Sequence, residues 1–289
     1  MWIARALRAT LAALALHPAA ASFSASPAAA QAAATLPCTL EPGPTRAVAG
    51  VRDADTLRLD DGMELRLLGI AAPRASDAGA EAGGKQWPPE TDARRFLERL
   101  VTGRGLALAF AGPRTDRYGR VLAHGFMRED EADVWLQGRL VEAGMARASP
   151  LPESDACMQA LIARERSARS AGLGLWSHAA YQVRPADRPG ELALYRHTLQ
   201  LVRGRIERAR TTRSLAVLEL ASSERPPAAE GTGQPGALRI VWRRQVGRTL
   251  GLDQPQALIG RNVIVRGWIE TRFGPEIEIA AAGQLELED

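Results

Sequence analysis

Apolar and polar side chains alternate from Arg46 to Asp60, and the alternation breaks at Asp53-Ala54-Asp55, which splits the run into two strands. Asp60-Asp61-Gly62 then predicts a tight turn into a strand over Met63 to Ile70, because Asp-Gly supplies the positive φ that a hairpin needs. Gly105 to Phe110 and Val121 to Met127 read as two further strands. Between Ile70 and Gly105 the pattern turns helical: Pro88, Pro89 and Thr91 mark a start, and Phe96, Leu97, Leu100 and Val101 form an apolar stripe. A second helix is expected over about Ala132 to Ala143, with Leu136, Leu140 and Val141 inward and Gly144 as its stop. A third starts near Ser154, turns Cys157, Leu161 and Ala168 inward, and ends at Gly172 before Gly174-Leu175-Trp176-Ser177.

Beyond this lies a connector from Tyr181 to Leu194, punctuated by Pro185 and Pro189. Period-two patterning then resumes at Leu199, Leu201 and Val202, and again at Leu215, Val217, Leu218 and Leu220. Ser222 to Gly236 is a polar Pro/Gly/Ala loop. Leu238 to Trp242 and Val263 to Ile269 read as strands, and Phe273-Gly274-Pro275 turns into a last one at Glu276 to Ile279. The expected fold is mainly β with helices (α+β). A five-stranded OB-type barrel with three helices comes first, and a smaller, possibly OB-like β-barrel follows. The expected domain map is a signal peptide at 1–32, the first domain at 39–178, a linker at 179–195 and the second domain at 196–289.

Composition adds a compartment. Arg5 and Arg8 precede an apolar stretch from Ala6 to Leu16, and Ala28-Ala29-Ala30-Gln31-Ala32 offers small residues for cleavage, the pattern of an export signal. That stretch is too short for a permanent membrane span, so the mature chain is expected to be periplasmic or secreted. The formal charge of the whole chain is +4, of which Arg5 and Arg8 supply two, so the mature protein is no global magnet for nucleic acid. The two cysteines, Cys38 and Cys157, are expected to form one disulfide in an oxidising compartment.

The candidate chemistry is carried by three segments: Asp53-Ala54-Asp55-Thr56, Arg66-Leu67-Leu68-Gly69-Ile70, and Arg114 to Ala123 with Asp116-Arg117-Tyr118-Gly119-Arg120 at its centre. Their order and spacing resemble the staphylococcal-type nucleases (thermonucleases) over about Thr45 to His178. The resemblance implies phosphodiester hydrolysis with Ca²⁺. Asp55 stands at a metal-ligand position, and Arg66 and Arg120 stand at the phosphate-contacting, catalytic arginine positions. It also exposes a departure. Where the family carries Asp-Thr-Pro-Glu, this chain reads Ala71-Ala72-Pro73-Arg74. The position of the second metal ligand holds Ala71, and that of the general base holds Arg74.

Ca²⁺ takes about six to eight oxygens, so one carboxylate makes a weak site. Loss of a general base costs roughly 10² to 10⁴ in rate. Counting only these positions, Asp55 faces three guanidiniums (Arg66, Arg74 and Arg120), which predicts a metal-free cradle for a phosphate group. Asp77 and Glu81, just downstream, are the candidate replacement acids, and Asp77 is also the candidate ion-pair partner of Arg74. His124, His178 and His197 lack acids or cysteines at metal-ligand spacing and read as packed or surface residues. Three functions stay open: a weakened nuclease, a non-catalytic binder of nucleic acid or another phosphate-bearing ligand, and a structural module of the cell envelope. OB barrels host all of these.

Overall fold

The computed structural model describes residues 38–77, 87–223, 236–271 and 274–288. The expected signal peptide at 1–32 and Glu81 lie outside the described residues. Residues 33–289 fall into one compact unit. No described helix is long and apolar enough to cross a membrane.

The first sheet begins with β1 (Glu41–Asp53), β2 (Thr56–Leu59) and β3 (Glu64–Leu67). Gly62, at φ +82°, makes the turn between β2 and β3, as the Asp-Gly pair implies. Leu57, Leu59, Leu65 and Leu67 alternate onto one face and are buried there. Next come the two-residue β4 (Ile70–Ala71), helix α1 (Pro88–Val101), β5 (Gly105–Phe110) and β6 (Val121–Glu129). Two prolines open α1, where their missing N–H groups cost no helical bond. Pairing runs β1–β2, β2–β3, β3–β6, β6–β5 and β5–β1, with β3–β6 the only parallel step, so five strands close into a barrel.

Residues 132–135 depart from the expected helix. They form a strand, β7 (Ala132–Trp135), that pairs antiparallel with β6 across a two-residue turn in which Asp130 takes φ +52°. Val134 and Trp135 suit a strand better than a helix, and the tight turn decides the matter. The helix α2 is therefore short (Leu136–Glu142). Gly144 ends it at φ +67°, where a Cβ would lie 2.2 Å from the Leu173 carbonyl oxygen, so only glycine fits. After β8 (Arg147–Ala148), which pairs with β4, a 3-10 turn leads into α3 (Met158–Ser170). Cys38 and Cys157 are bonded, with S–S 2.07 Å, and join the chain ahead of β1 to the start of α3.

The stretch read as a connector is tied into the fold. β9 (Arg184–Pro185) and α4 (Pro189–Ala193) interrupt it, and Tyr181 is buried against Trp176, Leu201 and Ile264. β9 pairs parallel with β10 (Leu199–Thr211), the longest strand of the second sheet. That sheet continues with β11 (Leu215–Leu220) and β12 (Arg239–Arg243), then passes through helix α5 (Arg244–Thr249). It ends with β13 (Asn262–Glu270), β14 (Glu276–Glu278) and β15 (Leu285–Glu288). Here pairing runs β10–β11, β11–β12, β12–β14, β14–β13 and β13–β10, again with a single parallel step, β12–β14. The strand connectivity repeats that of the first sheet: first to second to third, third parallel to fifth, fifth to fourth, fourth back to first.

Two buried arginines stitch the sheets together. Arg147, from β8, donates to the Leu199 carbonyl at the start of β10. Arg266, from β13, donates in return to the Ala148 carbonyl at 3.3 Å and pairs with Glu165 of α3 at 2.5 Å and with Glu286 of β15. Burial by itself would lower the Arg266 pKa, but Glu165 and Glu286 outweigh it and the pKa is raised. Burial also acts to raise the Glu286 carboxyl, yet Arg266 and Arg166 hold it below its ordinary value.

Candidate functional site

Asp55 sits in the turn between β1 and β2, and its carboxylate is fully buried. Four groups reach it. The Ala72 amide donates to Oδ2 at 2.8 Å, the Thr56 hydroxyl to Oδ1 at 3.1 Å, and Arg74 Nη2 to Oδ1 at 3.2 Å, while Arg66 closes an ion pair on Oδ1. The register explains Arg66: it lies on β3 directly opposite Thr56 of β2, so its side chain falls beside the neighbouring Asp55. Arg74 arrives from the segment that leaves β4. Its other nitrogen, Nη1, lies 3.6 Å from Asp53 Oδ2, and Asp53 Oδ1 accepts from the Asp55 amide at 3.2 Å.

Burial, with the adjacent Arg74 charge second, lowers the Arg66 pKa to about 10. Arg66 therefore stays charged at neutral pH. Asp53, Arg120 and Asp116 also act on it, which places both parts of the site in one electrostatic neighbourhood. Arg120 is held by Asp116, with Nε to Oδ2 at 2.7 Å, and its amide donates to Oδ1 at 3.0 Å. Burial acts to raise the Asp116 carboxyl, but hydrogen bonds from Arg120 and the Tyr118 amide hold it below its ordinary value. Tyr118 is 68% exposed, with the guanidiniums of Arg117 and Arg120 at 4.8 and 5.5 Å from its ring centre.

The sequence-derived cradle therefore needs correction. Asp53 and Asp116 join Asp55, so three carboxylates face the three guanidiniums of Arg66, Arg74 and Arg120. The cluster is balanced rather than strongly positive. Asp116 was legible as the partner of Arg120, four residues on; Asp53 was hidden because its reach to Arg74 depends on how the loop after β4 folds back.

Two further readings change. Arg74 does not pair with Asp77 through its side chain; its guanidinium goes to Asp55 and Asp53, and only its amide donates to Asp77, at 3.0 Å. Asp77 is buried, bound by Arg147 at 3.0 Å and by the Tyr181 hydroxyl at 3.2 Å, so it is not a mobile acid waiting to act as a base. Trp87 in turn donates to the Tyr181 oxygen at 2.9 Å. Burial, with the Asp77 charge second, pushes the Tyr181 hydroxyl well above its ordinary pKa, so it remains a donor. Nothing in the local sequence announced this chain of contacts, since Asp77, Arg147 and Tyr181 lie far apart along the chain.

His124 is a packed residue. Its Nδ1 accepts from the Trp135 indole at 3.2 Å, and burial lowers its pKa to about 4.

The donor set does not suit Ca²⁺. The one carboxylate at the ligand position is sealed from solvent and has guanidinium contacts on both oxygens. Ala71 and Ala72 offer no side-chain oxygen. Among the described residues no group of three or more His, Cys, Asp or Glu side chains converges in a way that could hold a metal ion. A cation entering here would have to displace Arg74 and lie beside Arg66, against the repulsion of both.

A comparison with curated proteins finds no match. Residues 64–178 match the family model for the staphylococcal nuclease homologue. The match takes in β3, α1, β5, β6 and the Arg66, Arg74 and Arg120 positions, while Asp53 and Asp55 precede it. The closed five-stranded barrel and the arginine positions accord with that match, so residues 64–178 are similar to the staphylococcal nuclease homologue.

Proposed function

We propose that this is an exported, non-hydrolysing relative of the thermonucleases that binds single-stranded nucleic acid through its phosphates. The observation that carries the reading is the double arginine contact on Asp55: Arg74 stands in the general-base position and its guanidinium lies on the carboxylate that a metal would need. Hydrolysis requires an electrophilic cation on the phosphate and a base for water. Arg74 supplies neither a ligand nor a base. What stays accessible is the rim. Arg74 is 43% exposed at its side chain, Arg120 is 28% exposed, and the exposed Tyr118 ring has the Arg117 and Arg120 guanidiniums against it. An exposed aromatic beside arginines is a stacking and phosphate-contacting surface of the kind that single strands use. The balanced charge inside the cluster means moderate affinity, carried by the rim.

In this reading residues 1–32 direct export, Cys38–Cys157 is the oxidised form suited to that compartment, and the ring beyond residue 195 is a second OB-type barrel. Native gels with a single-stranded DNA oligonucleotide, run once with Ca²⁺ and once with a chelator, test the reading. The expected result is a retarded, uncut band in both, fading as salt rises because phosphate contacts release counterions. Chelator-sensitive digestion would overturn it.

A further inference from the structure

Arg74 projects from residues 72–74, which belong to no strand or helix, so its backbone takes its position from other contacts. Three carboxylates supply them. The Ala72 amide donates to Asp55 at 2.8 Å, the Arg74 amide to Asp77 at 3.0 Å, and the Ala75 amide to Glu90, in the first turn of α1, at 3.0 Å. The guanidinium itself is loosely held: it is 43% exposed, and its contacts with Asp55 and Asp53 run from 3.2 to 3.6 Å. Ion pairs of that exposure and length contribute little. Where Arg74 stands is therefore set mainly by its backbone.

Of the three anchors, Asp77 is tied to the second sheet. Its Oδ2 accepts from the Arg74 amide, from Arg147 at 3.0 Å and from the Tyr181 hydroxyl at 3.2 Å. The same hydroxyl lies 3.5 Å from the Arg74 carbonyl oxygen, and its own oxygen accepts from the indole of Trp87, just ahead of α1, at 2.9 Å. The Arg147 guanidinium lies 4.9 Å from the centre of the Tyr181 ring and donates onward to the Leu199 carbonyl, where β10 begins. Tyr181 packs with Leu201 of β10 and Ile264 of β13. Asp77, Arg147 and Tyr181 are all buried, so water does not compete for these bonds. Tyr181, Leu199, Leu201 and Ile264 lie beyond residue 178, where the family match ends.

We propose that Asp77, Arg147 and Tyr181 are positioning residues: through them the second sheet holds Arg74 where it meets a phosphate. The inference rests on Arg74 being a contact for the nucleic-acid strand. The three residues touch no ligand themselves and act through the Arg74 backbone. A side chain on an irregular segment keeps its geometry only when the contacts supporting it are fixed. Here part of that support comes from beyond the first barrel, which gives the second sheet a part in strand binding through Asp77.

The test uses the full chain labelled with ¹⁵N and the variant Tyr181→Phe, which removes the hydroxyl and keeps the ring. Amide hydrogen exchange should quicken about fivefold at Arg74 and Asp77, while Ala72, held by Asp55, and the strands β10 and β13 stay unchanged. Affinity for a single-stranded DNA oligonucleotide should fall about threefold in the wild-type background and not at all in Arg74→Met, the non-additivity of residues that act as one unit. A general loss of stability would instead weaken binding alike in both backgrounds. Trp87→Phe, which takes away the donor to the Tyr181 oxygen, carries both measurements if Tyr181→Phe does not fold, with the same directions expected. Unchanged exchange at Arg74, unchanged affinity, or an equal loss of affinity with and without the Arg74 side chain overturns the positioning role. Failure of the wild type to bind the strand overturns the strand reading instead, and the exchange rates still decide whether the second sheet fixes the Arg74 segment.

Discussion

Two arginine–carboxylate clusters in this molecule differ mainly in access to water. At the seam between the sheets, Arg266 is fully buried between Glu165 and Glu286 and bonded to the Ala148 carbonyl, and Arg166 reaches Glu286 at 2.9 Å from the solvent side. At the turn before β2, Asp55 is equally buried, but its partner Arg74 is nearly half exposed and Arg66 about one-fifth. The first arrangement can only hold the fold. Removing Arg266 leaves two buried carboxylates without their shared cation in a low dielectric, where water cannot replace it. The second can lose Arg74 and still have solvent and Arg66 at hand. Pairing chemistry alone does not separate a structural cluster from a ligand-facing one; what differs is the arginine that bridges the carboxylates, enclosed at Arg266 and open to solvent at Arg74.

The largest test of that contrast is Arg266→Met. It removes the cation shared by the buried Glu165 and Glu286, leaving Arg166 on Glu286 and the Ala148 amide on Glu165, and should cost about 3–5 kcal/mol in urea unfolding. An effect under about 1 kcal/mol would erase the distinction between the two clusters. Cys38→Ser/Cys157→Ser asks how much of the first barrel's stability is independent of either cluster. Loss of the cross-link should cost roughly 2–4 kcal/mol, measured by denaturant midpoint against the oxidised wild type.

Acid offers a third comparison, with a buried group that is neutral. The folded His124 pKa, about 4, lies below the ordinary value of 6.5. The unfolded chain therefore takes up the proton first as pH falls. His124 contributes stability that is complete above about 6.5 and lost progressively down to about 4, by about 3 kcal/mol. His124→Asn keeps an acceptor for the Trp135 indole and removes the titration, so the slope of stability between those pH values should flatten. An unchanged slope would assign the acid sensitivity elsewhere. The smallest effect is expected from Arg74→Met, at most about 1 kcal/mol, since Arg66 and the Ala72 amide still hold Asp55. Its mark should appear instead in strand binding, as weaker retention and a shallower dependence on salt.

Sequence alone determined the five strands of the barrel, because patterns such as the alternation at Leu57, Leu59, Leu65 and Leu67 and the Asp-Gly turn are properties of near neighbours. It also exposed the two departures, Ala71 and Arg74, and the cysteine pair. Residues 132–135 were misread because a strand and an amphipathic helix start look alike over four residues, until the Asp130 turn pairs them with β6. The ion-pair partners were decided only by tertiary structure. Arg74 had Asp77 three residues away, yet closure of the barrel brought Asp55 to its guanidinium and the buried Arg147 and Tyr181 claimed Asp77. The same holds for Arg266, whose carboxylate Glu165 belongs to the other sheet's helix. Local patterns follow from a few adjacent side chains and their backbone preferences. A buried charge instead selects whichever opposite charge the completed packing sets beside it, at any distance along the chain.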